Sequence, residues 1–290
     1  YLYHFIQGFF TTNLVRAKLR SLEIFFFKSR RVAAQALLQS TDEIQALHDG
    51  MILNPILVPG DVVTSIRKEL QPMLCFDPEN VNLGKFLIDS CPGGVQRAYY
   101  SASEVGKINS VFEIANNESL IKIASNYFGA VPSIDYINAW WSFPSEALSL
   151  TQSYHRDIDT LHSLKFFVYL TDVDQDSGPH IFIKNSLSDP FFSSKKDAMY
   201  SDNEIEAQYG LEQKCEIVGD AGTNFIADTF NYHKGLLPLS KPRLLLSIIY
   251  TIKQTPFGPK KPYINSHDVP FMKHNEEKIF KQINKNLIKW

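Results

Sequence analysis

The sequence predicts a mainly β protein with a helical N-terminal layer, its strands closing on one another as a jelly roll. Three observations carry that expectation. Helix start and stop signals dominate as far as residue 130. Segments rich in β-branched and aromatic residues then follow one another from Ile134 to Thr251. The connections between those segments are polar turns without alternating helices, which favours antiparallel sheets over a doubly wound parallel one.

The elements follow in order. Ser40-Thr41-Asp42-Glu43 is a capping-box pattern opening a helix with Ile44 and Leu47 on one face and Gly50 after it. Pro59-Gly60-Asp61 starts a second helix, with Asp61 as the expected cap, Val62, Val63, Ile66 and Leu70 as its apolar face, and Pro72 at its end. A third helix is expected over Glu118 to Phe128, with Gly129 just past it. Strands are expected at Ile134–Phe143, Leu164–Thr171, His180–Lys184, Glu216–Val218, Thr223–Ala227 and Arg243–Thr251. Turn residues at 174–179 and 219–222 separate several of them. In the tail, Ile279, Phe280, Ile283 and Leu287 share a helical face. The expected organisation is an N-terminal helical segment over 1–45, one domain over 46–252 with its jelly-roll core at about 133–252, and a C-terminal extension over 253–290.

Composition narrows the function classes. The 290 residues are 44% hydrophobic and 13% aromatic, too apolar for wholesale disorder and enough for a sizeable core. Balanced charge, net −2, offers no field for nucleic acid or an anionic membrane. No run approaches the roughly 20 apolar residues that span a bilayer. Cys75, Cys91 and Cys215 are odd in number and far apart, unlike a disulfide framework or a zinc knuckle. A cytoplasmic globular protein is expected. The chain opens on Tyr1, without an initiator methionine, and reads as trimmed. Apolar Leu2–Phe10 runs into Arg16, Lys18, Arg20, Lys28, Arg30 and Arg31 with no small-residue cleavage site, so amphipathic helices packed on the domain are expected in place of a signal peptide.

Of eight histidines, only His155 belongs to a His-x-Asp pair, with Asp157. Residues two apart on a strand project from one face, so the imidazole and carboxylate can grip one ion. Such a pair is common by itself; its position gives it weight. His233 ends the segment that begins at Gly219, and Arg243 opens the last long strand ten residues later. Two histidines and a carboxylate make the facial triad of non-haem Fe(II) oxygenases, with positions left open for a bidentate co-substrate and dioxygen. Arg243 enters the apolar run Leu244-Leu245-Leu246. A guanidinium buried there needs a carboxylate, and the distal carboxylate of 2-oxoglutarate provides bidentate geometry. Lys165 and Tyr169, which share inward parity with Phe167, are candidates for a second co-substrate contact, as is Gln152. His162 lacks the strand spacing to Asp157 and is not expected to be a ligand, and His180 reads as a strand-end residue. Tyr99, Tyr100, Trp140, Trp141 and Phe143 suit a substrate with an apolar body, and Arg97 or Arg156 would meet an anionic group on it.

From His155 to Tyr250 the chain resembles the phytanoyl-CoA dioxygenase family of Fe(II)/2-oxoglutarate oxygenases. The matching stretches are His155-Arg156-Asp157, then Tyr169-Leu170-Thr171-Asp172-Val173-Asp174 running into Ser177-Gly178-Pro179. Gly219-Asp220-Ala221-Gly222, His233-Lys234-Gly235 and Pro242-Arg243-Leu244 complete them. The entry Ala46-Leu47-His48-Asp49-Gly50 followed by Pro59-Gly60-Asp61-Val62-Val63 extends the likeness to about two hundred residues. The resemblance implies a double-stranded β-helix of the cupin-like kind, iron held by His155, Asp157 and His233, and 2-oxoglutarate held by Arg243. It implies hydroxylation of a small organic molecule with release of succinate and CO2; Asp157 argues against a halogenase, which lacks that carboxylate. Two departures stand out. The family usually carries Pro-Gly-Ser-His where this chain has Lys184-Asn185-Ser186-Leu187, and Leu244-Leu245 after Arg243 breaks the Arg-x-Ser pattern of some relatives. Two other readings stay open: a jelly-roll metal hydrolase or isomerase working without 2-oxoglutarate, and a catalytically silent binding module.

Overall fold

The computed structural model describes residues 13–27, 29–31, 42–145, 153–158, 160–187, 199–255, 258–269 and 277–290. Its N-terminal part holds helices α1 (Asn13–Phe26), α2 (Asp42–Asp49), α3 (Gly60–Leu70), α4 (Ala102–Val105), α5 (Asn109–Ala115) and α6 (Glu118–Phe128). Four short strands are interleaved with them: β1 (Met51–Leu53), β2 (Leu74–Phe76), β3 (Lys85–Leu87) and β4 (Arg97–Tyr100). Then come β5 (Ser133–Ser142), β6 (Ser163–Tyr169), β7 (His180–Ile183), α7 (Asp202–Tyr209), β8 (Lys214–Ile217), β9 (Asn224–Ala227), β10 (His233–Gly235) and β11 (Arg243–Thr251). The chain finishes with β12 (Ile264–Asn265), α8 (Glu277–Asn284) and β13 (Ile288–Lys289).

All six expected strands form, within two residues of the expected ends. They build two antiparallel sheets, one in the order β1-β9-β6-β11-β5-β4-β2-β3 and the other in the order β10-β7-β8. Isolated pairings of Tyr154 with Tyr200 and of His155 with His233 extend the smaller sheet. The architecture is the mainly β jelly roll with added helices that the sequence predicts. One expectation needs correction: the first 130 residues are not only a helical layer, because β1 to β4 supply half of the larger sheet. Strands of three or four residues contain too few alternations to read as a period.

Alternation sorts the long strands into two faces. Leu164, Phe166 and Val168 of β6 and Leu244, Leu246, Ile248 and Tyr250 of β11 pack outward into a core shared with α5 and α6. Lys165 and Phe167 of β6, and Arg243, Ser247 and Ile249 of β11, line the barrel interior. The register sets Leu245 between Tyr169 on one side and Trp140 of β5 on the other. A one-residue slip would exchange the faces and drive Arg243 into the apolar outer core, so the hydrophobic pattern itself enforces this register.

Local chemistry fixes several ends. The Asn117 side chain caps α6 by accepting from the N–H groups of Ser119 and Leu120, and Gly129 closes it at φ 68. At α3 the cap position is Pro59, so Asp61 sits in the first turn and does not cap. The tail helix is shorter than its apolar face suggests: α8 stops at Asn284, and Leu287 turns its carbonyl to the N–H groups of Tyr263 and Ile264, both at 2.9 Å. Asn185 takes φ 60 where the resembled family has glycine, and asparagine is among the side chains that tolerate this conformation best. Ser186 next to it accepts from the N–H of Tyr232 at 2.8 Å and donates to the carbonyl of Ile183 at 2.8 Å, so the altered loop still ties β7 to the segment before β10. No helix among the described residues is long and apolar enough to cross a membrane.

Candidate metal centre

Backbone pairing brings the two histidines together. His155 and His233 exchange both N–H···O bonds, each 3.1 Å long. Their rings therefore leave the same face, with centroids 4.4 Å apart. Nδ1 of His155 donates to the carbonyl of Ser153 at 2.9 Å, and Nδ1 of His233 donates to that of Asn231 at 3.0 Å. Those bonds orient both rings and leave Nε2 as the ligand atom of each. The Asp157 N–H donates to Thr229 at 2.8 Å, which sets the carboxylate beside them. Its Oδ1 lies 3.8 Å from Nε2 of His155 and its Oδ2 3.5 Å from Nε2 of His233. One donor atom from each of the three lies within 4.8 Å of the other two, and no other such group occurs among the described residues.

The donor set suits a divalent first-row cation bound through imidazole and carboxylate on one face. The protonation states agree. Burial, reinforced by His233 and only partly opposed by Asp157, pushes His155 down to about 4, so it is a neutral donor at neutral pH. Burial would raise the Asp157 carboxyl, but Lys165 and the two histidines outweigh it and hold the group well below its usual range.

The same cavity, about 230 Å³, holds Arg243, Lys165 and His180. Arg243 is 4% exposed, and its Nε and Nη1 have no hydrogen-bond partner. Burial lowers its pKa from the ordinary value, while the neighbouring Tyr169 opposes the shift. A buried guanidinium with unmet donors has a strong free-energy demand for an anion. Lys165 does not reach for solvent: its Nζ lies 2.6 Å from Asp157 Oδ2. The Tyr169 hydroxyl donates to the carbonyl of Ile217 at 3.0 Å and accepts from the N–H of His180 at 3.1 Å. Gln152 lies outside the described residues.

The remaining candidates divide. His162 donates from Nδ1 to the Glu23 carboxylate at 2.7 Å and is not part of the trio. Arg97 lines the cavity and is ion-paired with Glu79, and Tyr99 stacks on Trp140 with centroids 5.4 Å apart. Trp141 and Tyr100 pack into the outer core, where the indole N–H donates to the Tyr100 hydroxyl at 3.1 Å. Arg156 is not a cavity residue: it lies over the rings of Tyr232 and Phe230, 4.1 and 4.8 Å from their centroids. His180 opens β7, as the sequence predicts, and its side chain also lines the cavity.

Comparison with known proteins gives the fold an outside reference. No family model matches the chain, and no curated protein sequence does. Solved structures do. SnoK, a non-heme α-ketoglutarate-dependent carbocyclase from nogalamycin biosynthesis, is 16% identical, covers 73% of this chain and 84% of its own, and has a TM-score of 0.51. The epimerase SnoN, solved with Fe3+, α-ketoglutarate and nogalamycin RO, is likewise 16% identical, with coverage of 73% and 84% and a TM-score of 0.51. EctD from S. alaskensis, solved with 2-oxoglutarate and 5-hydroxyectoine, is 17% identical over 77% of this chain and 81% of its own, with a TM-score of 0.51. This chain shares their jelly-roll fold.

Proposed function

We propose that the chain is an Fe(II)- and 2-oxoglutarate-dependent oxygenase that oxidises a small organic molecule, by hydroxylation, with release of succinate and CO2. The observation that carries the reading is Arg243, a buried guanidinium with two unmet donor atoms in the cavity of the His155–Asp157–His233 trio. A hydrolase or isomerase built on the same trio would leave that arginine without a task. The structures of SnoN and EctD contain α-ketoglutarate or 2-oxoglutarate, which supports the same co-substrate here. The quoted motifs favour the phytanoyl-CoA dioxygenase branch of these enzymes.

In this reading His155, Asp157 and His233 hold the iron, which with 2-oxoglutarate and dioxygen supplies the oxidising power. Arg243 orients the co-substrate through its distal carboxylate. Lys165 holds the Asp157 carboxylate through one oxygen, and Tyr169 ties the His180 N–H to the carbonyl of Ile217. Phe167 and Trp140 keep the cavity apolar around the reacting groups. The domain reading carries over as 46–252 for the oxygenase domain, with 1–45 and 253–290 as its extensions. The free thiols of Cys75, Cys91 and Cys215 suit a reducing cytoplasm.

Anaerobic titration with Fe(II) and 2-oxoglutarate tests the reading. A visible metal-to-ligand charge-transfer band is expected. Metal binding without the band, together with turnover that needs no dioxygen, would point to the hydrolase or isomerase. No metal retention at all would leave a binding module.

A further inference from the structure

A side chain at Gly235 would crowd the guanidinium of Arg243. A Cβ on Gly235 would sit 3.3 Å from Arg243 Nη2 and 3.9 Å from His180 Nε2. Gly235 is not among the glycines with positive φ, so its backbone does not demand glycine; an added methyl would instead press on the guanidinium and shift it by a few tenths of an ångström. β10 and β7 pair Gly235 directly with His180, which brings the imidazole to the same side of Gly235 as the guanidinium.

His180 is held in place by packing. Its ring lies 5.3 Å from the centroid of Phe167 and 5.5 Å from that of Phe225. Nδ1 makes only a 3.5 Å contact with the Tyr169 hydroxyl, at the long limit of a hydrogen bond. The Tyr169 hydrogen is directed to Ile217, and Lys165 is bound to Asp157, so both side chains expected to assist Arg243 are already committed. Burial, and after it the Arg243 charge, keeps the imidazole neutral. A neutral ring can donate one N–H without adding a second positive charge to the subsite. One guanidinium then balances one carboxylate.

We infer that His180 completes the distal-carboxylate subsite for the 2-oxo acid as a second donor through Nε2–H beside Arg243, and that Gly235 leaves the Arg243 guanidinium the room to stay in that subsite. The inference rests on the oxygenase reading and assigns the second contact that the sequence around Arg243 lacks. His180 here is a binding residue; it is not one of the three candidate metal ligands.

The experiment is calorimetry on Mn(II)-loaded protein with two probes: 2-oxoglutarate, and 2-oxopentanoate, which has a methyl group where the distal carboxylate would be. His180→Leu should weaken 2-oxoglutarate about ten- to hundredfold, the usual worth of a hydrogen bond to a charged group. It should leave 2-oxopentanoate and Mn(II) binding unchanged, and His180→Gln should recover part of the loss. Gly235→Ala, which adds only the methyl, should weaken 2-oxoglutarate as well. The inference is overturned if His180→Leu binds 2-oxoglutarate like wild type, or if both probes weaken equally, which marks a general packing defect. A wild-type protein that loads Mn(II) but does not bind 2-oxoglutarate overturns the oxygenase reading along with it.

Discussion

His155 and His233, 78 positions apart, face each other as a hydrogen-bonded antiparallel pair. Each ring is further pinned by its own Nδ1 on a carbonyl two residues upstream. The two histidines are therefore held by backbone geometry before any ion arrives, while the Asp157 carboxylate is also held by Lys165. His155→Ala should abolish retention of Fe(II) or Mn(II), since a facial trio reduced to two ligands loses most of its affinity. His162→Ala should keep the metal, because His162 is tied to Glu23 and is not part of the trio. Metal content after gel filtration separates the two, and the reverse pattern would show that the wrong histidine has been named.

Arg243 offers a second test. Arg243→Leu preserves approximate volume and strand preference while removing both unmet donors. Affinity for 2-oxoglutarate should fall by about one to three orders of magnitude. Metal retention should survive. Arg243→Lys should restore only part of the loss, because an ammonium cannot reproduce the planar fork. Calorimetry on the metal-loaded protein reads this directly; unaltered binding in Arg243→Leu would remove the main support for the oxygenase reading.

The sequence made the long strands legible because β5, β6 and β11 are long enough for a period of two to show. It made the trio legible because a His-x-Asp pair, a later histidine and a strand-opening arginine keep their order along the chain. Three features were beyond local reading. β1 to β4 are too short to carry a period. The inward turn of His180 depends on its neighbours across β10. The arginines of α1, read only as charge on an amphipathic helix, act at long range: Arg16 donates to the Thr160 carbonyl and Arg20 to that of Leu161, both at 2.6 Å. Each depends on a partner more than a hundred residues away, which no window along the chain contains.

The C-terminal helix provides a stability test. Asn116 and Asn284 form a buried reciprocal amide pair, with N···O distances of 3.2 and 2.6 Å. Asn116→Ala leaves Asn284 Oδ1 without its donor, though Nδ2 still donates to the carbonyl of Phe280 at 3.1 Å, and should destabilise the fold by about 1–3 kcal/mol. Replacing both with apolar residues should cost less than the sum of the single changes, since no orphan then remains. Thermal melts of the two single variants and the double variant give the coupling. Strict additivity would mean the pair does not lock the helix.

Asp228 links stability, pH and the candidate ligands. Its carboxylate lies 2.8 Å from Arg20 of α1, accepts from the Tyr127 hydroxyl at 2.7 Å and from the N–H of Phe230 at 2.9 Å. The next residue, Thr229, is the one whose carbonyl takes the Asp157 N–H. Burial would raise this carboxyl, but Arg20 and the hydrogen bonds outweigh it, so its folded pKa lies below the ordinary 3.8. A depressed carboxyl stabilises the fold above its unfolded pKa, and that contribution drains away as the pH falls from there through the folded value. Wild type should thus lose stability steeply in acid, below the ordinary carboxyl range, and Asp228→Asn should flatten that part of the profile. At neutral pH the same change strands Arg20 and should cost about 3–5 kcal/mol, as for other broken buried ion pairs. Because the ion pair anchors α1 over the loop that leads to His233, Asp228→Asn should also loosen metal binding while leaving the three ligands in place. Melting temperature against pH, with metal affinity measured at pH 7, checks both effects. An acid limb as steep in the variant as in wild type would assign acid sensitivity to other groups and leave the α1 anchor without energetic weight.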